Sequence, residues 1–294
     1  MEQLTLLLSC HSLTIIGSIA KTLERDCAFH PFITVTEKSD WILEHRTSLP
    51  PLTDAKRLSQ FFLDEKKYRC TFSRQENGSL SIHNSSYQFD IHDTADESLV
   101  VRLVYSAGST TALMSGNPNE FVLRFTIWFA VSLLGAPCHV SFVHSSTIVY
   151  NNHAILFLGE SGTGKSTHSQ LWLNHIEGSR LLNDDSPMIT IEKGLPMVYG
   201  SPWSGKKPCY IPRQYPIGAI VRIVQAKHNH IERLNTTASF AALQPSLPPA
   251  LMQDQYFSDL LIQLISKILS HTPCYCLECL PNSDAAHVCH DFVC

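Results

Sequence analysis

The chain has no run of lysine and arginine, and charged side chains make up only 16% of its 294 residues. With a formal net charge of -4 it presents no electrostatic footprint for nucleic acid, which argues against a partner bound through its phosphate backbone. No internal repeat is present, so nothing points to a repeat array. Apolar runs are short. Phe121 to Ala136 is apolar around most of its surface but too short to span a bilayer and interrupted by Arg124. Leu4 to Ala20 lacks a basic leader, contains His11 and is rich in Ser and Thr over Cys10 to Ser18, so a first strand and helix are expected there rather than a signal peptide. No membrane association is expected.

What is present is a hydrophobic fraction of 44%, enough to bury a sizeable core over two domains. The ten cysteines include Cys274, Cys276 and Cys279, with His287, Cys289, His290 and Cys294 after them. Pro273 to Leu280 alternates like a strand, which sends Cys274 and Cys276 to one face and Tyr275 and Leu277 to the other. That arrangement favours buried thiols over a zinc site or disulfides, and it suits a reducing cytoplasm.

Gly159-Glu160-Ser161-Gly162-Thr163-Gly164-Lys165-Ser166 is a complete G-x-x-x-x-G-K-[ST] phosphate loop. The apolar run Ala154 to Leu158 precedes it and a helix-compatible run, Thr167 to Trp172, follows. Glycines let successive N–H groups turn inward toward phosphate oxygens, and the following helix adds its positive N-terminus. Lys165 reaches toward the β and γ phosphates and Ser166 toward magnesium.

Arg180 to Asp185 reads as a short strand ending in two adjacent carboxylates, Asp184 and Asp185. One helix and one return strand fill the interval after Lys165. Carboxylates at such a strand end are placed to hold a magnesium ion on phosphates or to take a proton from an acceptor hydroxyl. A capped polar turn gives the same residues without chemistry. Upstream, Thr147 to Tyr150, an Asn151-Asn152 turn and the strand entering the loop form a hairpin, with His144 at its far end.

Taken together, His144-Ser145-Ser146, GESGTGKS and Leu182-Asn183-Asp184-Asp185 resemble the catalytic domain of HPr kinase/phosphorylase. The loop and double Asp also look like ATP-dependent phosphoenolpyruvate carboxykinase. The resemblance is strongest to HPr-kinase-like proteins with an extra N-terminal domain, and it takes in Asn119-Glu120, Leu123-Arg124-Phe125, Trp128-Phe129, His168, Ser186-Pro187, Tyr199 to Lys206, Cys279-Leu280-Pro281 and Ala285-Ala286. It covers about the last six tenths of the chain. It implies an α/β fold: a PEP-carboxykinase-like, HPr-kinase-like P-loop catalytic domain over 136–294, with a smaller α+β N-terminal domain over 1–135.

The resemblance further implies a cytoplasmic kinase that uses ATP or GTP with Mg2+ and transfers the γ-phosphoryl group to a serine-type hydroxyl in a protein, peptide or small molecule. Lys165 and Ser166 would hold phosphates and metal, Asp184 and Asp185 would share the base and metal roles with Asp185 beside Ser166 on the metal, and His144 would line the cleft. The resemblance does not extend to the Gly-, Ile- and Asn-rich stretch of true HPr kinases. Tyr199 to Tyr210 stands there instead and would contact the acceptor or close over the nucleotide, so HPr itself is not implied as acceptor. A nucleotide-binding scaffold with little catalysis and a carboxykinase-like metabolic enzyme are the alternatives.

Lys206, Lys207, Arg213 and Arg222 are the basic residues weighed for phosphate contact, with Lys206 and Arg213 assigned to the nucleotide. The N-terminal half reads as strands over Phe32 to Val35, Tyr68 to Ser73, Ser79 to His83 after an Asn77-Gly78 turn, Tyr87 to Ile91 and Leu99 to Tyr105, forming a small antiparallel sheet. It carries no obvious chemistry and is assigned to acceptor recognition or to assembly, including a homo-oligomer. Asn117 as N-cap, Pro118 at the first helical position and Gly135 after the end mark the Phe121 helix. Ala238 to Leu243 and Gln255 to Leu269 are expected helices.

Overall fold

The computed structural model describes residues 2–77, 84–205 and 208–294. Lys206, Lys207 and the expected strand Ser79 to His83 with Gly78 of its turn lie outside the described residues. The fold is mixed α/β with two sheets. The chain divides into one unit of Met1–Cys138 with Ala250–Leu260 and another of His139–Pro249 with Leu261–Cys294, so the first unit is not the smaller.

Among its described residues the first unit holds one sheet, in the order β1-β2-β3-β8-β7-β6-β5-β4. Its strands are β1 (Gln3–Leu8), β2 (His11–Ile16), β3 (Trp41–Arg46), β4 (Lys56–Leu63), β5 (Tyr68–Glu76), β6 (Ser85–Asp93), β7 (Leu99–Ser106) and β8 (Thr111–Gly116). The expected antiparallel sheet is in fact mixed, because β3 runs parallel to both β2 and β8. Leu4 to Ala20 is a hairpin of two strands that leads into a short helix, α1 (Ile19–Glu24). Phe32 to Val35 is not a strand. Pro31 fixes φ and lacks an N–H, so His30–Phe32 turns as a 3-10 helix and only an isolated bridge, Leu6 to Ile33, remains.

Helix α2 (Glu120–Gly135) starts two residues later than expected. Asn119, not Asn117, is its N-cap, because the Asn119 side chain accepts from the Val122 N–H at 3.0 Å. Gly135 is its last residue, and the 3-10 turn Ala136–Cys138 continues it. The stretch Glu120–Cys138 therefore has 19 residues, long and apolar enough to pass for a membrane span by length and composition, but 67% of its apolar window is buried inside the protein, as in a core helix. Residues 250–260 join this unit through Asp254, whose buried carboxylate accepts from Arg74 at 2.8 Å and from the Tyr87 hydroxyl at 3.0 Å.

The second unit is built on β15 (Gln214–Gln225), which serves two sheet segments at once. Gln214 to Pro216 pairs with β14 (Leu195–Tyr199), followed by β13 (Met188–Glu192) and β9 (Ser141–Phe142). The rest of β15 runs parallel to β11 (His153–Leu158) on one side and β17 (Cys274–Cys279) on the other. Beyond β11 lie β10 (Ser146–Tyr150) and β12 (Arg180–Asn183), each antiparallel to its neighbour, and β16 (His230–Arg233) edges β17. The β10–β11 hairpin turns at Asn151 and Asn152, both with positive φ, as a two-residue Asn-Asn turn requires.

This topology sends β11, β12, β15 and β17 in one direction, so their C-terminal ends share one sheet edge. Helices α3 (Lys165–His175) and α4 (Ser283–Val293) bury Trp172, Ala285, Ala286 and Cys289 against Phe157, Val221 and Leu277 of the sheet. Full burial of each large apolar side chain contributes about 1.5–3 kcal/mol, so the edge where the strands end is anchored by a dense core. Among the described residues no cysteine forms a disulfide, and Cys274, Cys279 and Cys289 are buried thiols.

Candidate functional site

The loop from Gly159 to Ser166 joins β11 to α3 at the shared C-terminal edge, the position where open α/β sheets bind ligands. Gly164 is the N-cap of α3 with φ 104, a left-handed conformation that costs a side-chain-bearing residue, and no side chain closes the first turn. The helix N-terminus therefore opens onto the cleft above it.

Lys165 is buried. Its ammonium donates to the carbonyls of Gly159 at 2.8 Å and Glu160 at 3.0 Å, so the loop folds round its own cation. Burial holds its pKa below the usual lysine value, partly offset by the negative charges of Asp185 and Asp184. Thr163 stiffens the loop, its N–H and its hydroxyl both donating to Glu160 O.

The acidic doublet follows β12 directly and is fastened from three directions. Asn183, wholly buried, accepts from the N–H groups of Asp185 at 2.9 Å and Ser186 at 3.0 Å, while its amide nitrogen donates to Trp203 O at 3.0 Å. Ser146, at the start of β10, donates to Asp184 Oδ1 at 2.5 Å. The Ser186 hydroxyl donates to Asp185 Oδ2 at 3.0 Å, and His144 Nδ1 stands 3.4 Å from Asp185 Oδ1. The Ser145 N–H in turn donates to Asp185 O, which ties the His144 segment to the doublet.

Loop and doublet open into one cleft of about 570 Å³ lined by Ser161, Gly162, Gly164, Lys165, Ser166, Asp184, Asp185 and His144, together with Ser169 and Gly205. Gly159, Glu160 and Thr163 support the loop without lining that cleft. Arg213 is exposed at the entry to β15, outside the lining, where its backbone pairs with Gly200 and Ile211. Arg222 is half-buried on β15 opposite Leu158 and Cys276 and also lies outside the lining. The Tyr199 to Lys206 segment, expected to face ligand, is mostly a buttress. Ser201 and Trp203 are buried beneath the doublet, and Gly205 alone of its described residues lines the cleft.

Ser146, Ser169 and Asn183 are the residues whose part sequence reasoning missed. Asn183 carried a signal, an Asn at a strand end before two Asp residues, where its side chain can bond backbone N–H groups two and three positions on. Ser146 stood in the His144-Ser145-Ser146 motif without pointing to Asp184, and Ser169 carried no signal, since their meeting depends on how β10 and α3 pack.

No protein-family model matches the chain, and no curated protein matches it. Among solved structures it is similar to the Hpr(Ser) kinase/phosphatase from Coxiella burnetii, at 11% identity and a TM-score of 0.33 over 51% of this chain and 94% of that one. Similarity at that level carries no functional argument by itself.

Proposed function

We propose that the chain is an ATP-dependent phosphotransferase, with GTP the alternative donor, that moves a γ-phosphoryl group to a serine-type hydroxyl in a protein, peptide or small molecule. The supporting observation is a single cleft lined by the loop residues Gly162 to Ser166, except Thr163, and by both carboxylates, Asp184 and Asp185. Loop N–H groups and the Lys165 ammonium would meet the negative charge that spreads over a transferred phosphoryl group. In the reaction the acceptor oxygen attacks the γ-phosphorus and the bond to the β–γ bridging oxygen breaks, its electron pair leaving with the nucleoside diphosphate. The hydroxyl proton passes to a carboxylate of the doublet. His144 orients Asp185 from the side away from Ser186.

The residues fit a magnesium ion. Ser166 and Asp185 line the same cleft and would supply the one or two oxygen ligands that this ion takes from protein when phosphates and water fill its remaining positions. Bound there, it would neutralise charge on the phosphate oxygens. Acceptor recognition, or assembly with further copies, is left to the first unit. Cysteines outside any disulfide fit a reducing cytoplasm.

Incubation with γ-labelled ATP, magnesium and candidate acceptors, free serine included, tests the proposal. Label transfer by wild type and not by Lys165→Ala supports it. Tight nucleotide binding with neither transfer nor hydrolysis would favour a nucleotide-gated scaffold.

A further inference from the structure

A second cavity, of about 350 Å³, adjoins the first. The two share Gly162, Gly164 and Thr167, so the loop and the first turn of α3 form the ridge between them. The new cavity lies over the ends of β15 and β17, lined by Ile223, Gln225 and Ala226 from one and Cys279, Leu280 and Pro281 from the other, with Leu171 and His168 from α3. Its volume sits near the small end of ligand pockets, roughly 300–1,000 Å³, and its wall is chiefly apolar with few polar groups, as in sites for planar organic ligands.

The sheet order gives this cavity a direction. β11, which carries the loop, has β10 and then β12 with the acidic doublet on one side, and β15 and then β17 on the other. A polyphosphate whose reacting end faces Asp184 and Asp185 must leave the loop on the opposite side, across Thr167. That exit leads into the second cavity. Gln225 ties the two regions together, its amide nitrogen donating to Gly162 O at 3.2 Å.

A buried polar atom supplies an independent observation. Trp172 Nε1, which can only donate, gives its hydrogen to His168 Nε2 at 3.1 Å, so the neutral His168 ring carries its own proton on Nδ1. Among the described residues Nδ1 is buried with no hydrogen-bond partner, although His168 is only 2% exposed. A buried donor without an acceptor is costly, and His168 belongs to the wall of this cavity. A ring nitrogen or carbonyl of a nucleobase, or a ribose oxygen, is an acceptor of the right kind.

We infer that the second cavity receives the nucleoside of the phosphoryl donor, with Leu171, Ile223, Ala226 and Pro281 packing on the base and His168 and Gln225 as its polar contacts. The inference rests on the phosphotransferase reading and deepens it. It assigns the Cys279-Leu280-Pro281 segment and the end of β15 to donor recognition.

Calorimetric titration with ATP and with inorganic tripolyphosphate, each with magnesium, separates the two cavities. Ala226→Trp and Pro281→Trp fill the second cavity from opposite rims. Wild type is expected to bind ATP at least about tenfold more tightly than tripolyphosphate, and both variants to lose about tenfold or more in ATP affinity while tripolyphosphate binds as before. Lys165→Ala is expected to weaken both ligands. Unchanged ATP affinity in both tryptophan variants, equal loss of both ligands in both variants, or equal affinity of wild type for the two ligands would overturn the assignment. If wild type binds neither ligand, the phosphate-site reading fails first and this inference fails with it.

Discussion

Ser146 Oγ donates to Asp184 Oδ1 at 2.5 Å while lying 2.5 Å from Ser169 Oγ, so a β10 hydroxyl links the acidic doublet to the helix that begins with Lys165. A hydrogen bond to a charged group contributes about 1.5–3 kcal/mol. Ser146→Ala is therefore expected to lower the rate of phosphoryl transfer by roughly tenfold to a hundredfold, with ATP affinity little changed because Ser146 does not line the cleft. Parallel turnover and binding measurements check this; a variant that binds ATP poorly and turns over normally would show that Ser146 serves the loop instead.

Gly205 is the next point of control. A Cβ built there would lie 2.7 Å from the Asp184 carbonyl oxygen, closer than side chains approach, and the obstacle is backbone that cannot swing aside. Gly205→Ala should shift Asp184 and cut transfer by roughly fivefold to a hundredfold, on the scale of about 1–3 kcal/mol for overpacking, while leaving the core built on Trp172 intact. Turnover and thermal melting measured together distinguish this from general destabilisation. Full activity in Gly205→Ala would mean that the doublet's exact placement is unimportant.

His168 makes stability depend on pH. Burial lowers its pKa from 6.5 to about 4. Between those values the unfolded chain takes up a proton that the folded chain refuses, so this group's contribution is present above pH 6.5 and is lost as pH falls toward 4. The loss is roughly 3 kcal/mol at about 1.4 kcal/mol per pKa unit. His168→Gln, which keeps an acceptor for the Trp172 N–H, should show a shallower loss over that range. Urea unfolding at pH 7 and pH 4.5 for the two proteins gives the comparison, and identical acid losses would count against a neutral buried ring.

Much of the second unit was legible because its signals are local. The Asn151-Asn152 turn fixes the β10–β11 hairpin, the glycine loop lies where a strand gives way to a helix, and the doublet follows the return strand β12. What escaped is non-local. The link from Ser146 to Asp184 spans 38 residues and appears only when β10 and β12 pair, and the buttress under Asn183 comes from a segment that looked like a ligand loop. The cap of α2 was misplaced because Asn117 and Asn119 are equally good capping residues, and only the Val122 N–H selects between them. In the first unit, period-2 alternation identifies strands but not their direction, so the parallel pairs of β3 could not be read.

Side-by-side binding and single-turnover measurement on Asp184→Asn and Asp185→Asn tests most directly whether loop and doublet act on one phosphate. Each substitution keeps the side chain's shape and removes its charge. Transfer is expected to be at least about a hundredfold slower in both, as for loss of a general base or of charge stabilisation, while ATP still binds through the loop. Transfer at the wild-type rate in both variants would contradict it.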